Sequence, residues 1–591
     1  MCGIHGLIHL DGSPVSPAVL SRMGQVTSHR GPDDEGLHVD GNAGIAMRRL
    51  SIIDLSGGHQ PISSADEQLW LVCNGEIYNY RELRDRLAAR GHRFTTSGDT
   101  EVVLRAYEEY GRRCVEHLRG MYAFAIVDGR RALLARDPLG IKPLHTYALP
   151  GGRLAFASEI KALLRCPEVP ARIDLGSLGD LRVFEYVADS RATLFDGIRS
   201  LEPGHCLEIE LAAGGDLRIA DHAFAPPLEP FDPPPSVAEA ERRLDELLDD
   251  AVGSHRLADV PICLTLSGGL DSTLLGLLLA RQVGAGVVSY AAGDDPAHVD
   301  VVQAARMAQV LGVEHRPLLL DFDQYLAAMP ASVAAAESFT DGVPQFLLFQ
   351  DLGRQYRCAL NGEGADELLG GYQEHWAAAR FVERIRGAPA ALPASERGAI
   401  ERARLRDEPR LDADAWMYGI LLGPQLIDRH LQPLDKLSMA SSVEVRVPFL
   451  DQPVADYVRR LPFALKLNRQ LGSTKYLLRR AYLRRWRALG GEPALLDAVL
   501  REKRGLPDAR RASAARFHGL CDRVLPPGWF DAHPRREFLE HAVQAIWFDL
   551  FEHLFCTHRG VVPDGFDVLD FLAQRAGTSR AAVLAAKTPR H

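Results

Sequence analysis

The first 200 residues consist of short apolar runs separated by Gly and Asp turns. Four of these runs have the length of a β-strand: LWLVCNGEIY (69–78), MYAFAIVD (121–128), ALLARD (132–137) and LAFASE (154–159). Two other stretches, at 80–91 and 99–111, have apolar residues at helical spacing. Strands with a few helices favour an α+β domain built on sheets.

The pattern changes after a stretch rich in Gly and Pro at 209–236, which predicts a turn followed by a semi-rigid linker. A helical pattern follows at 238–256, then a buried strand at PICLTLS (261–267), another helix, and a strand at 286–292. Alternation of strand and helix at this spacing predicts a parallel, doubly wound sheet. From about residue 375 the pattern is mostly helical, and we predict a loose tail at 576–591.

Composition narrows the class of protein. A chain of 591 residues is too long for one core, so we expect two or more domains. Hydrophobic residues make up 46% and charged residues 25%, which is typical of a soluble globular protein. The net charge of −10 argues against general affinity for nucleic acid. No apolar run approaches the roughly 20 residues that span a bilayer, and the first residues lack the basic leader of a signal peptide.

Nine cysteines are spread along the chain without a C-x-x-C pair. This spacing is neither a disulfide framework nor a zinc pattern. It suits a reducing compartment, so we expect a cytoplasmic protein.

Cys2 is the first residue with candidate chemistry. Removal of Met1 would give Cys2 a free α-amine with a pKa of about 7.7–8.0, which can act as base for its own thiol. Taken alone, Cys2 is more simply interpreted as a small buried residue. Its interpretation depends on the polar segments that follow.

Five later residues have the chemistry to hold an amino acid and an oxyanion. Arg49 can clamp an α-carboxylate with its planar guanidinium. Glu76 and Asp99 can take an α-ammonium, and Asn74 and Gly75 can donate hydrogen bonds to a tetrahedral oxyanion. Each of them alone is more simply interpreted as an ordinary turn or surface group.

Together these segments resemble a known domain. The motifs, in chain order, are MCGI (1–4), HRGPDDEG (29–36), RRLSIID (48–54), QP (60–61), NGEIYN (74–79), SGDTE (97–101) and RDPLGIKPL (136–144). They resemble the class II glutamine amidotransferase domain, an N-terminal-nucleophile (αββα) fold, over residues 2–208. The resemblance implies Cys2 as nucleophile, an oxyanion hole at 74–75, and glutamine held by Arg49, Glu76 and Asp99.

A second candidate site lies between a predicted strand and a predicted helix. Its residues are Ser267, Gly268, Gly269, Leu270, Asp271 and Ser272. Glycines there let backbone N–H groups approach phosphate oxygens, and the helix N-terminus adds positive dipole. A plain glycine turn is the alternative. The Walker A pattern is absent, and SGGLDS instead resembles the PP-loop of ATP pyrophosphatases, which cleave between the α- and β-phosphates.

An acidic turn follows the strand-like RCAL (357–360). We predict that Asn361 and Gly362 lie beside the nucleotide, and that Asp366 shares Mg²⁺ with Asp271. Glu363 is a candidate to position the acceptor or to accept a proton from the attacking ammonium. A solvated acidic loop is the alternative interpretation.

The segments DKLSMASSVEVRVPFLD (435–451) and STKYLLRRAY (473–482) complete the pattern. With the two turns they resemble the synthetase domain of glutamine-hydrolysing asparagine synthetases, placed at 237–575. The resemblance implies Lys475 as stabiliser of charge on the α-phosphate and on the tetrahedral intermediate. It implies glutamine, ATP and Mg²⁺ as ligands, and a sealed passage for ammonia between the sites.

The acceptor carboxylate is the open question. Aspartate is the family's usual acceptor. However, the stretch 334–350 has Ser338 where Pro is usual, a shorter run from Asp341 to Pro344, and no Arg. Another small carboxylate is therefore the alternative. A non-catalytic nucleotide-binding relative is a further alternative, which needs broken catalytic positions. We expect neither nucleic acid nor membrane as partner, and a homodimer stays open.

Overall fold

The computed structural model describes residues 2–9, 11–128, 131–211, 217–226, 228–284, 286–372, 375, 418–500 and 511–587. The strands of the first half are β1 Gly3–His9, β2 Asp34–Asp40, β3 Ala43–Arg49, β4 Ile62–Ser63, β5 Trp70–Ile77, β6 Gly120–Val127, β7 Arg131–Arg136, β8 His145–Leu149, β9 Arg153–Ala157, β10 Ile198–Ser200, β11 His205–Leu211 and β12 Leu217–Ala223. Its α-helices are α1 Pro17–Gln25, α2 Tyr80–Ala88, α3 Thr100–Tyr110, α4 Ile160–Leu163 and α5 Leu175–Phe184.

The second half alternates strands and helices before it becomes mostly helical. Its strands are β13 Ile262–Thr265, β14 Val288–Gly293, β15 Glu314–Leu319, β16 Cys358–Leu360 and β17 Glu444–Arg446. Its α-helices are α6 Val237–His255, α7 Leu270–Val283, α8 Val299–Leu311, α9 Phe322–Ala336, α10 Val343–Leu352, α11 Ala365–Leu369, α12 Gln432–Met439, α13 Gln452–Arg460, α14 Phe463–Lys466, α15 Tyr476–Ala488, α16 Pro493–Leu500, α17 Arg511–Val524, α18 Ala542–Glu552, α19 Val568–Ala576 and α20 Arg580–Lys587. Two π-helices span Leu421–Leu431 and His553–Thr557, and 3₁₀ turns span Ser28–Arg30, Gly111–His117, Pro448–Leu450 and Arg536–Phe538.

Two antiparallel sheets form the first half. Their strand orders are β10-β8-β9-β1-β3-β2 and β12-β11-β7-β6-β5-β4. One apolar cluster joins Ile45 of β3 to Val72 of β5 and Ala123 of β6, so the sheets pack face to face. Helix α1 contacts the first sheet, and α2 and α3 cover the second. This is the predicted αββα arrangement.

A parallel five-stranded sheet organises the second half, with strand order β15-β14-β13-β16-β17. Helices lie between its strands in sequence, as the alternating pattern predicts. Because β13 and β16 are neighbours, the turns that follow them meet at the carboxyl edge of the sheet.

The predicted linker of 209–236 is wrong at its start. Strand β12 pairs with β11 from His205 opposite Ala223 to Leu211 opposite Leu217, so the second sheet continues past residue 208. Beyond Ala223 the chain is held against the second half, where the guanidinium of Arg460 lies 4.1 Å from the ring centre of Phe231. The connecting stretch is therefore shorter than predicted and docked at Phe231.

The predicted loose tail of 576–591 is also wrong over most of its length. Residues Arg580–Lys587 form helix α20, whose Val583 is 0% exposed. The side chain of Arg523 donates to the carbonyl of Ala586 at 2.8 Å. The last four residues, 588–591, lie outside the described part of the chain.

In the part of the chain that the structure describes, no helix combines the length and apolar character needed to cross a bilayer.

Candidate active sites

Cys2 lies directly before β1, a central strand of the first sheet, and is 6% exposed. Its backbone nitrogen donates to Oδ1 of Asn74 on β5 at 2.9 Å. Cys2 is therefore held across the gap between the two sheets by one of the residues that the sequence predicts.

The Cys2 thiol is in an environment that resists ionisation. Burial raises the pKa of Cys2, while the positive charge of the amino terminus and a backbone hydrogen bond from Leu50 oppose the increase. A thiol with a raised pKa requires a base to become a nucleophile.

Asn74 and Gly75 have the features of an oxyanion site. Asn74 is fully buried, and its Nδ2 has no hydrogen-bond partner within the described ranges. An orphaned buried donor costs about 1–3 kcal/mol, so a ligand oxygen there would be stabilised. A Cβ added at Gly75 would lie 2.1 Å from the carbonyl oxygen of Met121, so this position accepts only glycine.

A cavity joins five of the predicted residues. It is lined by Cys2, Arg49, Gly75, Glu76 and Asp99, together with backbone and side chains of the intervening loops. The structure thus brings the amidotransferase motifs to one pocket with the cysteine at its wall.

Arg49 lines this cavity, and part of its guanidinium is hydrogen-bonded to a neighbouring loop. It donates to the backbone carbonyls of Ile53, Asp54 and Leu55 at 3.1, 2.7 and 3.3 Å. These bonds use three of the five N–H groups of a guanidinium. The loop at 53–55 therefore fixes the guanidinium in place. Two of its N–H groups remain to donate to a carboxylate.

The two predicted ammonium ligands are buried carboxyls. Burial raises the pKa of Asp99, which also accepts the backbone N–H of Ile77 at 2.8 Å. Burial and the charge of Glu444 raise the pKa of Glu76 well above its ordinary range. A cation entering the pocket would counter both effects, so the electrostatics suit an ammonium.

Arg446 is a residue of this region that sequence reasoning missed. It lies on β17 in the second half, is fully buried, and places Nη2 3.1 Å from Glu76 Oε1. It also pairs with Glu444 and donates to the carbonyls of His255 and Leu257 at 2.8 and 2.7 Å. The motif segment 435–451 contains it, but only the fold shows that it reaches the pocket of the other half.

The glycine-serine turn lies between β13 and α7, as predicted. Ser272 Oγ accepts the backbone N–H of Ser267 at 3.1 Å and lies 3.0 Å from Ser267 Oγ. Gly268 has a φ of +70°, and a Cβ there would lie 2.7 Å from the backbone of Gln303. The turn begins α7 at Leu270, so its N–H groups and the helix dipole face the same place.

Lys475 joins the two acidic positions predicted for the metal. Its Nζ lies 2.6 Å from Asp271 Oδ2 and 2.6 Å from Asp366 Oδ1, and the residue is 5% exposed. Burial disfavours its charge, but the two carboxylates raise the pKa of Lys475 above its ordinary value. Lys475 precedes α15 with a φ of +49°.

Gly371 is a second residue that sequence reasoning missed. A Cβ there would lie 1.9 Å from Asp366 Oδ1 and 2.4 Å from Lys475 Cε. Any larger side chain would displace the lysine from the carboxylates. The Gly-Gly pair at 370–371 is the sequence signal that could have indicated a close approach.

The acidic turn packs directly on the glycine-serine turn. A Cβ at Gly362 would lie 3.3 Å from Asp271 Cβ, and Asn361 Oδ1 accepts the backbone N–H of Glu363 at 2.7 Å. Glu363 forms an ion pair with His430, whose Nδ1 is 3.0 Å from Glu363 Oε1. His430 was not among the predicted residues.

Comparison with known proteins assigns both halves. A model described as glutamine amidotransferase domain matches residues 1–216, and one described as asparagine synthase matches residues 243–486. The chain is 32% identical to asparagine synthetase [glutamine-hydrolyzing] 1 of Bacillus subtilis, an alignment that covers 81% of this chain and 84% of the relative. It is 33% identical to a putative asparagine synthetase [glutamine-hydrolyzing] of Mycobacterium tuberculosis, with the same two coverages.

Both halves thus match in the order in which the two sites occur, and the relatives are matched over most of their length. The chain belongs to the family of glutamine-hydrolysing asparagine synthetases and is an ATP-dependent carbon–nitrogen ligase that takes nitrogen from glutamine.

Proposed function

We propose that this enzyme converts aspartate to asparagine, with ammonia released at Cys2 and consumed at an acyl-adenylate beside the glycine-serine turn. One observation carries the proposal: the Lys475 ammonium lies between Asp271 and Asp366 at the edge where that turn begins α7. The names of the matched relatives support aspartate as acceptor.

At the first site, removal of Met1 gives Cys2 an α-amine that takes the thiol proton. The thiolate sulfur attacks the carboxamide carbon of glutamine, and the oxyanion accepts hydrogen bonds from Asn74 Nδ2 and the backbone N–H of Gly75. The C–N bond then breaks, ammonia leaves with the proton from the amine, and water hydrolyses the thioester. Arg49 holds the α-carboxylate of glutamine, while Glu76 and Asp99 hold its ammonium.

At the second site, an oxygen of the acceptor carboxylate attacks the α-phosphorus of ATP and pyrophosphate leaves. The backbone N–H groups of Gly268 and Gly269 and the hydroxyls of Ser267 and Ser272 bind phosphate oxygens. The neighbouring residues Leu270, Asn361 and Gly362 complete the nucleotide side of the site. Lys475 stabilises the negative charge that develops on the α-phosphate.

The residues present fit a magnesium ion. Asp271 and Asp366 each place one carboxylate oxygen 2.6 Å from Lys475 Nζ, so the two carboxyl groups lie close together. Hard oxygen ligands are those that Mg²⁺ prefers. We propose that these two residues hold it, and that when bound it neutralises charge on the pyrophosphate.

In the last step the nitrogen lone pair of ammonia forms the C–N bond at the acyl carbon. Glu363 accepts the proton from the resulting ammonium, and the bond to AMP breaks with its electron pair on the phosphate oxygen. Lys475 stabilises the intervening tetrahedral oxyanion.

Replacement of Asn74 with Ala should lower glutamine-dependent amide formation by about 10²–10³-fold, because one oxyanion donor is lost. The ammonia-dependent reaction should keep its rate. The measurement is kcat with each nitrogen donor in turn. An equal loss with both donors would mean that Asn74 supports the fold rather than the oxyanion.

The acceptor segment favours a second candidate. Its residues 334–350 contain no Arg to meet an α-carboxylate. Asp341 there accepts the hydroxyl of Tyr325 at 2.8 Å. The same chemistry on another small carboxylate is therefore the alternative function.

A panel of carboxylic acids separates these two functions. We expect pyrophosphate release with aspartate, ATP and ammonia, and formation of asparagine in equal amount. Release with another acid and none with aspartate would establish the alternative. Release of phosphate and ADP would contradict adenylation altogether.

A reducing cytoplasm is proposed as the location, since all nine cysteines are free thiols in the structure.

A further inference from the structure

His430 contacts the synthetase site from an element other than the glycine-serine turn and the acidic turn. It lies near the end of the π-helix Leu421–Leu431, in which Gly423 has non-helical dihedral angles. Short π-helical segments are frequent at functional sites because they change which side chains face inward. Here the imidazole is one-fifth exposed and faces the acidic turn.

The imidazole bridges two carboxylates. Nδ1 lies 3.0 Å from Glu363 Oε1, and Nε2 lies 3.4 Å from Glu367 Oε1. Both ring nitrogens carry protons only in the imidazolium form, which alone can donate to both carboxylates. Burial works against this form, but the hydrogen bond and charge of Glu363 and the charge of Glu367 raise the pKa of His430.

Glu367 differs from Glu363 in its surroundings. Glu367 is 0% exposed, whereas the Glu363 side chain keeps about a quarter of its surface accessible. The hydroxyl of Tyr372 donates to Glu367 Oε1, and Oε2 has no hydrogen-bond partner among the residues that the structure describes. A buried carboxylate requires a counter-charge, so Glu367 fixes the cationic ring in place.

The π-helix itself is anchored. Asp428, two residues before His430, accepts the backbone N–H of Val187 in the amidotransferase half at 2.9 Å. Arg429 pairs with Glu185 on the same side at 2.6 Å. The ring is therefore held from both directions, by the helix on which it lies and by the buried Glu367.

We propose that His430 is a positioning residue that holds the carboxylate of Glu363 where it can take the proton in the amide-forming step. The inference rests on the proposed function, in which Glu363 is the base. His430 keeps its own protons and contacts no substrate. Glu367 and Tyr372 act in turn by fixing the ring.

The geometry assigns the role to one step only. Adenylation depends on Lys475, Asp271 and Asp366, none of which pairs with His430 in the described structure. A misplaced Glu363 would instead leave the ammonium intermediate without its base. Misplacement of a reacting group by about 1 Å can cost about 10²-fold in rate.

The test is His430→Gln, assayed in two ways with ammonia as donor and the acceptor that releases pyrophosphate in the panel above. We expect kcat for amide formation to fall by about 10- to 100-fold. The burst of pyrophosphate in rapid-quench experiments without ammonia should stay within about twofold of the parent enzyme. His518→Gln, at an exposed histidine of α17, is the matched control and should leave both unchanged.

A double-mutant cycle with Glu363→Gln identifies the partner. If His430 acts through Glu363, adding His430→Gln to Glu363→Gln should cause no further loss. Additive losses, unchanged amide formation in His430→Gln, or equal loss of the burst would each overturn the inference and leave the proposed function intact. Full activity of Glu363→Gln would instead show that Glu363 is not the base. The proposed role of Glu363 and the role of His430 would then both be wrong.

Discussion

Replacement of Cys2 with Ala should abolish glutamine-dependent amide formation and leave the ammonia-dependent reaction close to its original rate. The expected loss is at least about 10³-fold, because removal of a covalent nucleophile leaves only binding and oxyanion stabilisation. The effect should be confined to one donor, since Cys2 lies in the pocket of the first half and the adenylation residues lie in the second. Product formation with each donor, at saturating ATP and acceptor, gives the comparison.

Cys556→Ala is the matched control, a half-buried thiol in the second π-helix that contacts neither site. Loss of both reactions in Cys2→Ala would mean that the roles of the halves have been misassigned. An unchanged glutamine reaction would remove Cys2 from the mechanism. Amino-terminal sequencing of the active enzyme should return Cys as its first residue, because the proposed base is the amine that Met1 would block.

Replacement of Lys475 with Met should have the second large effect, in the other half. The ammonium is the counter-charge of Asp271 and Asp366 at 2.6 Å each, and the proposed stabiliser of the α-phosphate. We expect pyrophosphate release to fall by about 10²–10³-fold, a magnitude typical for loss of one transition-state contact. Glutamine hydrolysis, followed as glutamate, should persist.

Lys475→Arg should fail to restore activity. A guanidinium is wider than an ammonium, and the backbone of Gly371 already closes on the lysine side chain near Cε. Arg480→Met on the same helix, where the Arg480 side chain is 43% exposed, should keep full activity. If glutamine hydrolysis disappeared together with synthesis in Lys475→Met, a folding defect would explain the result better than lost chemistry.

The sequence alone predicts those parts of each site that are formed by residues adjacent in the chain. The run 267–272 predicts a phosphate turn because glycines and hydroxyls at that spacing, after a strand, suit few other purposes. Lys475 was accessible only through the resemblance, since a lysine at a helix is ordinarily a surface residue. Its burial between two carboxylates comes from the fold.

Arg446 and His430 could not be predicted in their roles. Each meets its partners from a distant part of the chain, and pairing across such distances leaves no local pattern. His430 also lies on a π-helix, where the usual period of 3.6 residues assigns the wrong face to each side chain.

The error at the linker has a different cause. Strand β12 is at the edge of its sheet and largely exposed, with Ile219 43% accessible. A strand of this kind buries little on either face, so its sequence lacks the alternation that marks a strand. The Gly-rich stretch that seemed to end the domain instead separates two paired strands.

Because Arg446 of the second half pairs with Glu76 of the first, the two halves depend on each other for charge balance. A synthetase half made alone would bury this guanidinium without Glu76, and an amidotransferase half made alone would leave Glu76 without its cation at the pocket wall. Splitting the gene between the halves would therefore leave a carboxylate without its partner on the amidotransferase product, whereas Arg446 would keep its pair with Glu444. Any lineage that loses the charge at 446 should be under selection to neutralise position 76 as well.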